Sequence, residues 1–541
     1  NFEIVKDTLK KYKGKGIANI EIPEGVKVIG QDVFWGCKEI QRIKIPEGVT
    51  KIGQEAFREC NNLEEINIPD SVTEIGIMAF HACYKLKNIY LPDSVKSIGW
   101  HAFGYCNGLE SFTVPKDIKV IPEFCFNVCS SLTNVNLPEN LKKLENRVFS
   151  CCESLESIKL PEGITEIGYG AFLSCKKLKS INLPKGIKKI GEKTFYYCEN
   201  LESINLPKGI TEIGDRAFVG CKKLTEINIP EAVTQIGENA FANCESLTSL
   251  RIPASVTTLG YGIFNGCHSL KNLEIDADNP RFKLQDGLIL SADGKTVEFC
   301  VPYKSGICEI PKGVKNIAWH AFENCELITE VIMPESVTNI GVFAFADCKK
   351  LAQVKLSSKI KKLNSNVFAG CKELKNIELP ATLTAIGSSA FDGASIKELV
   401  IPETVKTFKA YAFDKCKLSK VTILGNVKPG MRAFGKATFV LYAKNLPLSQ
   451  LKKAYQECAL FGYAEMYSAG EQLQQEITDE YKLYVKENME RVTVFMLKKP
   501  ALLDFVLALK CLPDDKTAEI VGQVKQTDKA EFIAVLTKHG L

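Results

Sequence analysis

The sequence predicts an α/β fold: a solenoid of stacked repeats with a parallel β-sheet along one side, a β-hairpin insertion, and a C-terminal all-α domain. Three observations support this prediction. One pattern recurs every 23 residues over most of the chain, a single segment with hairpin turn signals interrupts it, and the apolar spacing becomes helical after about residue 446. We expect about sixteen repeat units.

The repeat unit is clearest at residues 60–83, which read CNNLEEINIPDSVTEIGIMAFHAC. Leu63, Ile66 and Ile68 alternate as in a strand with one buried face, and Pro69 ends the strand because proline has no N–H to donate. Phenylalanine recurs at this interval from Phe34 to Phe264. One unit cannot bury its own apolar face, so neighbouring units must stack.

The 21 cysteines follow the same period, and about fifteen of them share one position just before the strand. We expect each to be a small buried group whose thiol bonds a backbone carbonyl. Without a C-x-x-C pair, a zinc site is disfavoured. Thiols this numerous fit either a reducing compartment or protective burial. Cys300 and Cys308, outside the column, flank a predicted turn and can pair if the protein is exported.

The repeat pattern resembles the BspA-like (Treponema pallidum type) leucine-rich repeat family over residues 17–435, through C-x-x-L-x-x-I-x-I-P-x-x-V-x-x-I-G-x-x-A-F-x-x-C. The resemblance implies a right-handed solenoid with a concave parallel sheet. It also implies attachment to host proteins, other bacteria or surfaces, and an N-terminal hairpin in FEIVKDTLKKYKGKG. Family members share a scaffold and not one ligand, so only a class of function follows.

Five regions are predicted along the chain: an N-terminal β-hairpin cap at 1–16, a first repeat array at 17–275, a β-hairpin insertion at 276–310, a second array at 311–445 and a helical domain at 446–541. The insertion is predicted from turn signals at 286–287 and 292–294. The helical domain contains five segments with helical apolar spacing. We expect it to cover the last repeat; the alternative is an independent partner-binding domain.

Composition and motifs argue against several function classes. The net charge of +5 is too balanced for nucleic acid or an anionic membrane as the main partner, and no apolar run is long enough to span a bilayer. The five histidines are scattered, and His81 and His101 occupy different positions of adjacent repeats. We therefore expect no catalytic residues, no metal site and no cofactor.

The sequence favours a non-catalytic binding solenoid, a bacterial interaction or adhesion protein that engages a protein or glycan partner. The alternative is an intracellular scaffold or regulator that binds its partner through the helical domain. The first residues contain no apolar signal-peptide core, although residue 1 is not Met. The resemblance implies a secreted or cell-surface location, whereas a chain without a signal peptide before Asn1 would be cytoplasmic.

Two variable columns contain the candidate partner-binding residues. The side chain between the last two apolar residues of each strand should point out of the sheet, and its charged or aromatic members are Lys44, Tyr90, Lys159 and Arg251. Aromatic residues after the turn glycine, or on the nearby loop, are Trp100, Tyr169, Tyr196, Tyr197 and Tyr261. Exposed aromatic residues are frequent at binding hot spots, but these rings can equally pack against neighbouring loops.

Overall fold

In a computed structural model the chain forms a parallel-strand solenoid of about 19 turns followed by six α-helices. The structure describes residues 1–425, 427–435, 439–444, 446–451 and 453–541. Contacts divide the chain into an N-terminal unit, Asn1–Ala292 with Val301–Tyr303, and a C-terminal unit, Asp293–Cys300 with Lys304–Leu541. The predicted number of turns was too low because some turns, such as the one containing Thr296–Cys300, keep the strand without the full proline, phenylalanine and cysteine pattern.

The predicted strands form a parallel line of short strands that we call the first ladder. Most of its three-residue strands place one buried residue between two exposed ones, as Ile181 lies between Ser180 and Asn182. In the N-terminal unit its strands are Asn19–Glu21, Arg42–Lys44, Glu65–Asn67, Ser111–Thr113, Asn134–Asn136, Ser157–Ile158, Ser180–Asn182, Ser203–Asn205, Ser249–Ile252 and Asn272–Ile275. In the C-terminal unit they are Gly306–Glu309, Ile328–Ile332, Gln353–Lys355, Glu398–Ile401, Lys420–Ile423 and Val440–Tyr442.

A second ladder of parallel strands, which the sequence did not reveal, runs through the V-x-x-I part of the repeat. Most of its strands have only two residues, too few for apolar alternation to show in the sequence. In the N-terminal unit they are Val28–Ile29, Lys51–Ile52, Glu74–Ile75, Ser97–Ile98, Val120–Ile121, Lys143–Leu144, Glu166–Ile167, Lys189–Ile190, Glu212–Ile213, Gln235–Ile236 and Thr258–Leu259. In the C-terminal unit they are Thr296–Cys300, Asn316–Ile317, Asn339–Ile340, Lys362–Leu363, Ala385–Ile386, Thr407–Phe408 and Lys428–Pro429.

Phenylalanine rings fill the centre of the turns that keep the full repeat pattern, and they stack on the rings of the turns above and below. Between Phe34 and Phe241 neighbouring centroids lie between 5.1 and 5.8 Å apart. The backbone supports the stack, since the Phe80 N–H donates to the Ala102 carbonyl of the next turn at 2.8 Å. Each phenylalanine is therefore buried by its neighbours and not by its own repeat.

The cysteine column makes the predicted bond to a backbone carbonyl. Cys60 donates its thiol to the Phe34 carbonyl at 3.1 Å, and Cys175 donates to the Phe149 carbonyl at the same distance. Each bond crosses to the turn before, so the column links neighbouring repeats. Cys300 and Cys308 do not form the disulfide considered from the sequence, because the Cys300 thiol hydrogen-bonds with Cys325 and Cys308 remains a thiol.

The inserted hairpin is shorter than the predicted segment 276–310. Its antiparallel strands are Phe282–Gln285 and Leu288–Ser291, whereas Gly306–Glu309 already pairs in parallel with Ile328–Ile332 of the first ladder. At the N-terminus, Phe2–Val5 and Thr8–Tyr12 form a second antiparallel hairpin. Its inner strand, Thr8–Tyr12, also pairs in parallel with Val28–Ile29, so the hairpin starts the second ladder.

The helical region contains one more helix than the sequence suggested. The helices are α1 (Lys453–Ser468), α2 (Gln475–Glu487), α3 (Met489–Met496), α4 (Pro500–Ala508), α5 (Asp514–Thr527) and α6 (Ala530–Lys538), preceded by a 3₁₀ turn at Leu448–Gln450. The second of the five predicted helical segments is in fact two helices, α2 and α3, separated at Asn488. Helix α1 packs against the last first-ladder strand, Val440–Tyr442. Among the described residues, no helix has the length and apolar content needed to span a bilayer.

Candidate binding surfaces

The outward side chains of the first ladder form an exposed face, as the strand pattern predicts. Lys44, Lys159 and Arg251 are exposed on this face, and Tyr90 is the most exposed aromatic residue of its column at 69%. They lie on the ladder at wide intervals, so the fold does not gather them into one compact site. The four residues remain predicted contacts distributed along one face.

The charged candidates are each paired with an acidic residue of a neighbouring turn. Lys44 lies 3.5 Å from Glu21 and Lys159 lies 3.7 Å from Glu139. Arg251 forms ion pairs with Glu231, at 2.6 Å, and with Asp276. Exposed pairs of this kind contribute little stability, but a ligand would have to compete with the carboxylates for these cations.

A polar patch on the same face has no such internal partners. It consists of Ser180, Asn182, Ser203, Asn205 and Asn228, on three consecutive turns. Within the described chain, the side chains of these residues make no hydrogen bond to other protein groups. The adjoining turn contributes Ser249 and Arg251, which line a shallow hollow together with Ser203, Asn205 and Asn228.

Asparagines earlier in the same column differ in this respect. The Asn67 amide donates to the Ile45 carbonyl and accepts from the Ile45 N–H, and the Asn136 amide donates to the Thr113 hydroxyl. The earlier amides therefore bind the scaffold itself. The free amides of the polar patch point to solvent, where a ligand can replace water as their hydrogen-bonding partner.

The aromatic candidates are less available than the sequence suggested. The Tyr169 hydroxyl accepts hydrogen bonds from Arg147 at 3.2 Å and Lys193 at 3.1 Å, and both cations lie over its ring. Burial raises the pKa of Tyr169, but the bonds from these two cations outweigh it and leave the pKa below its ordinary value. Its ring therefore joins adjacent turns.

The other candidate rings divide into packed and exposed members. Tyr196 and Tyr197 are half-buried and meet edge to face at 4.5 Å, and Tyr261 is also half-buried. Trp100 is 44% exposed, with its ring edge-on to His101 at 5.3 Å. Trp100 is thus the aromatic candidate of the turn column that presents most surface to a partner.

The structure places His81 and His101 in contact, although they occupy different positions of adjacent repeats. The rings of His81 and His101 lie 5.4 Å apart, because Gly104 occupies the position between them: a Cβ there would lie 2.6 Å from His101 Nδ1 and 3.2 Å from His81 Cδ2. Gly104 is the sequence signal that could have revealed the contact. Burial lowers both pKa values, that of His101 to about 4, so the rings are neutral near pH 7. Among the described residues no group of three or more metal-ligating side chains forms.

The helical region contains a polar cluster that the sequence also did not show. Buried Asp504 accepts hydrogen bonds from Ser468 and Lys538, both at 2.8 Å, and its other oxygen lies 2.7 Å from His539 Nε2. Burial raises the pKa of Asp504, but these bonds lower it below its ordinary value. The bonds converge on the carboxylate, which therefore anchors the C-terminal end of α6 to α4.

The repeat region of the chain matches the model of a known protein family. The BspA type leucine rich repeat region matches residues 9–129, 101–222, 188–283 and 300–420, which together span more than half of the chain. The chain belongs to this family. Leucine-rich repeat solenoids are typically used for protein binding and are generally non-catalytic. No curated protein matches the chain.

Solved structures of bacterial leucine-rich repeat proteins are similar in sequence. A leucine rich cell surface protein of Faecalibacterium prausnitzii is 28% identical, with a TM-score of 0.39, and the match covers 78% of this chain and 93% of that one. A leucine-rich repeat protein of Bacteroides ovatus is 28% identical, with a TM-score of 0.44 and coverage of 78% and 97%. The Treponema pallidum leucine rich repeat protein is 28% identical over 41% of this chain and 87% of its own, with a TM-score of 0.24.

Proposed function

We propose that the protein is a non-catalytic binding protein of bacterial adhesion, which holds a protein or glycan partner against the first-ladder face of its N-terminal unit. The observation that carries this proposal is the polar patch, Ser180 to Asn228, with side chains that face solvent and lack partners within the described chain. Short side chains on a rigid ladder lose little conformational entropy when a partner binds.

The chemistry of the patch suits a hydrogen-bonding ligand. Each asparagine amide offers two donors and one acceptor oxygen, and each serine hydroxyl offers both roles. Turns repeat at the strand spacing of roughly 4.8 Å, so the groups form a regular array. An extended segment of a partner protein, or the hydroxyl groups of a surface glycan, can bond to several turns in succession.

Blocking the patch tests this proposal. Replacing Asn182→Arg and Asn205→Arg places two long side chains over the array, and we expect at least about a tenfold loss of affinity for a bound partner. Binding would be measured by surface plasmon resonance against immobilised fibronectin, fibrinogen, collagen and laminin, and on a glycan array. The matched control is Gln235→Arg with Thr258→Arg, which adds the same charge on neighbouring second-ladder strands of the same unit.

Different outcomes test the choice of binding face and the adhesion function separately. Equal losses in the patch variant and the control would contradict the choice of face, and a wild-type protein that binds none of these targets would contradict adhesion. The triple reversal Lys44→Glu, Lys159→Glu and Arg251→Glu tests the charged candidates. Because each cation is already paired with a carboxylate, we expect a smaller loss than in the patch variant.

A further inference from the structure

The second ladder of the C-terminal unit carries a group of lysines without the ion pairs that join many neighbouring turns. On those turns a cation meets an acid 23 residues away, on the adjacent turn. Arg42 lies 3.1 Å from Glu65, Lys176 lies 2.7 Å from Glu153, and Lys349 lies 2.6 Å from Glu326. Opposite charges on neighbouring strands stabilise the ladder, and like charges destabilise it.

A basic face departs from this arrangement. It consists of Lys312, Lys315, Lys359, Lys361, Lys362, Lys406 and Lys409, which lie beside or within the second-ladder strands and are all exposed. Within the part of the chain that the structure describes, none of the seven forms an ion pair, although lysines elsewhere in the same unit do. The positive charge of this face is therefore not neutralised by ion pairs.

Few acidic groups oppose these lysines. Glu335 and Glu403 are the acidic residues in the stretches 311–317, 334–340, 357–363, 380–386 and 402–409. The Glu335 carboxylate is occupied, because it accepts hydrogen bonds from the Ser358 hydroxyl and, at 3.1 Å, from the Ser358 N–H. An anion approaching this face meets an excess of positive charge.

The lysines are also regularly spaced. The residue just before the second-ladder strand or at its start is Lys315, Thr338, Lys361, Thr384 and Lys406 on five consecutive turns. The Thr338 hydroxyl donates to the Lys315 carbonyl at 3.4 Å, and the Thr384 hydroxyl donates to the Lys361 carbonyl at 2.9 Å. On these five turns lysine recurs on every second turn, at a separation of roughly 9.6 Å, which is two strand spacings. Lys295 occupies the same position on the turn before Lys315, but it is paired with Asp293 at 3.4 Å.

A structural explanation accounts for only part of this pattern. Carbonyl oxygens next to the column favour a hydroxyl or an ammonium group over a carboxylate, which explains why acids are missing from it. It does not explain why lysine alternates with threonine, which makes the carbonyl bond more directly. Nor does it explain Lys312, Lys359, Lys362 and Lys409, which lie outside the column.

We propose that this basic face binds an acidic polysaccharide, an extended glycan that carries a carboxylate or sulfate on alternate sugars. The lysine interval is comparable to the length of a disaccharide, so successive anionic groups meet successive lysines. Between the lysines, exposed Asn339 and Thr407 offer an amide and a hydroxyl to sugar hydroxyls. The five stretches contain no arginine and no exposed aromatic ring, which are the groups that stack on nucleic-acid bases.

Affinity measurements on the whole chain test the proposal. The variant Lys315→Thr, Lys361→Thr and Lys406→Thr uses a residue that the column already accepts, so we expect it to fold. Heparin supplies sulfates, hyaluronan supplies carboxylates, and dextran and single-stranded DNA are the comparison ligands. We expect the wild type to bind heparin or hyaluronan with an affinity that falls as salt rises, and the variant to bind about tenfold more weakly.

The matched control is Lys350→Thr, Lys372→Thr and Lys417→Thr. These lysines are exposed, lie on three turns of the same unit and form no ion pair among the described residues. Replacing them removes the same total charge as the test variant does. We expect the control to keep wild-type affinity, with circular dichroism showing that both variants are folded. Equal losses in both variants, equal binding to dextran, tighter binding to DNA, or no binding to either acidic glycan would overturn the proposal. The polar patch is in the other unit, so its variants report on the adhesion proposal independently.

Discussion

At the scale of single residues, the column cysteines act as small apolar groups that also connect turns. Cys106 is fully buried and donates its thiol to the Phe80 carbonyl at 3.1 Å. Burial raises its pKa to about 12, so the nucleophilic thiolate is absent at neutral pH. Of the 21 thiols, 19 are buried, and only Cys37 and Cys151 are half-buried, so burial shields nearly all of them from oxidation.

One position of the column lacks its cysteine and provides a natural comparison. Ala394 is buried where the repeat places cysteine, one turn after Cys371, which donates to the Phe345 carbonyl at 3.2 Å. We expect Cys371→Ala to lower the free energy of unfolding by roughly 1–2 kcal/mol, through the lost bond and volume. Ala394→Cys should raise it by about 0.5–1 kcal/mol by adding the missing bond.

Urea denaturation followed by circular dichroism, in the presence of reductant, measures both changes. Cys371→Ser is the control, since its hydroxyl can keep the bond to the carbonyl while losing the sulfur volume. If Ala394→Cys destabilises the protein, the thiol-to-carbonyl bond does not stabilise this turn.

At the scale of the repeat element, the turn glycine is required by close approach between turns. Gly76 and Gly260, which follow second-ladder strands, do not have the positive φ that would itself require glycine. A Cβ on Gly260 would lie 2.3 Å from the Glu238 amide nitrogen of the preceding turn. The glycine column therefore sets how closely adjacent turns approach each other.

Gly260 and Gly191 occupy the same repeat position with different surroundings. A Cβ on Gly191 would lie 3.3 Å from its nearest neighbour, Thr194 Oγ1, which belongs to a side chain that can shift slightly. We expect Gly260→Ala to destabilise its turn by about 1–3 kcal/mol, because backbone must move, and Gly191→Ala to change stability by less than about 0.5 kcal/mol. Hydrogen exchange of the adjacent strands would show the difference, and equal protection in both variants would contradict it.

The period explains which elements the sequence could and could not reveal. Pro69, Ile66 and Ile68 define the first ladder because a three-residue strand shows alternation, whereas the two-residue strand Glu74–Ile75 does not. The contact between His81 and His101 depends on a missing side chain at Gly104, and the Asp504 cluster joins residues far apart in sequence. Neither has a periodic signal. The exposed columns were predictable, but whether an asparagine bonds the scaffold or faces solvent was not.

At the scale of the whole molecule, the solenoid consists of two compact units, and each open end of a stack needs a cover. The N-terminal hairpin starts one stack, and α1 covers the last strand of the other. Gly462 allows this contact, since a Cβ there would lie 2.1 Å from the Leu441 carbonyl oxygen. The apolar face of the last turn is therefore protected by a helix.

Gly462→Val should displace α1 and expose the end of the stack. We expect faster hydrogen exchange in Val440–Tyr442 and Lys420–Ile423, together with a greater tendency to aggregate. Gly522→Ala is the control in α5, where a Cβ would meet nothing within 4 Å; we expect it to stabilise that helix by about 0.5–1 kcal/mol. Unchanged exchange in Gly462→Val would show that α1 is not the cover.

The cysteine column also determines whether the protein can refold after it unfolds. In the folded state the acidity of each column thiol is suppressed by the turns around it, and an unfolded turn releases a cysteine of ordinary reactivity. Loss of structure is therefore also a gain of chemical reactivity, which grows with the number of turns that open. In an oxidising medium such thiols cross-link chains, so denaturation becomes irreversible and the lifetime of the protein is set by the rate at which its turns open.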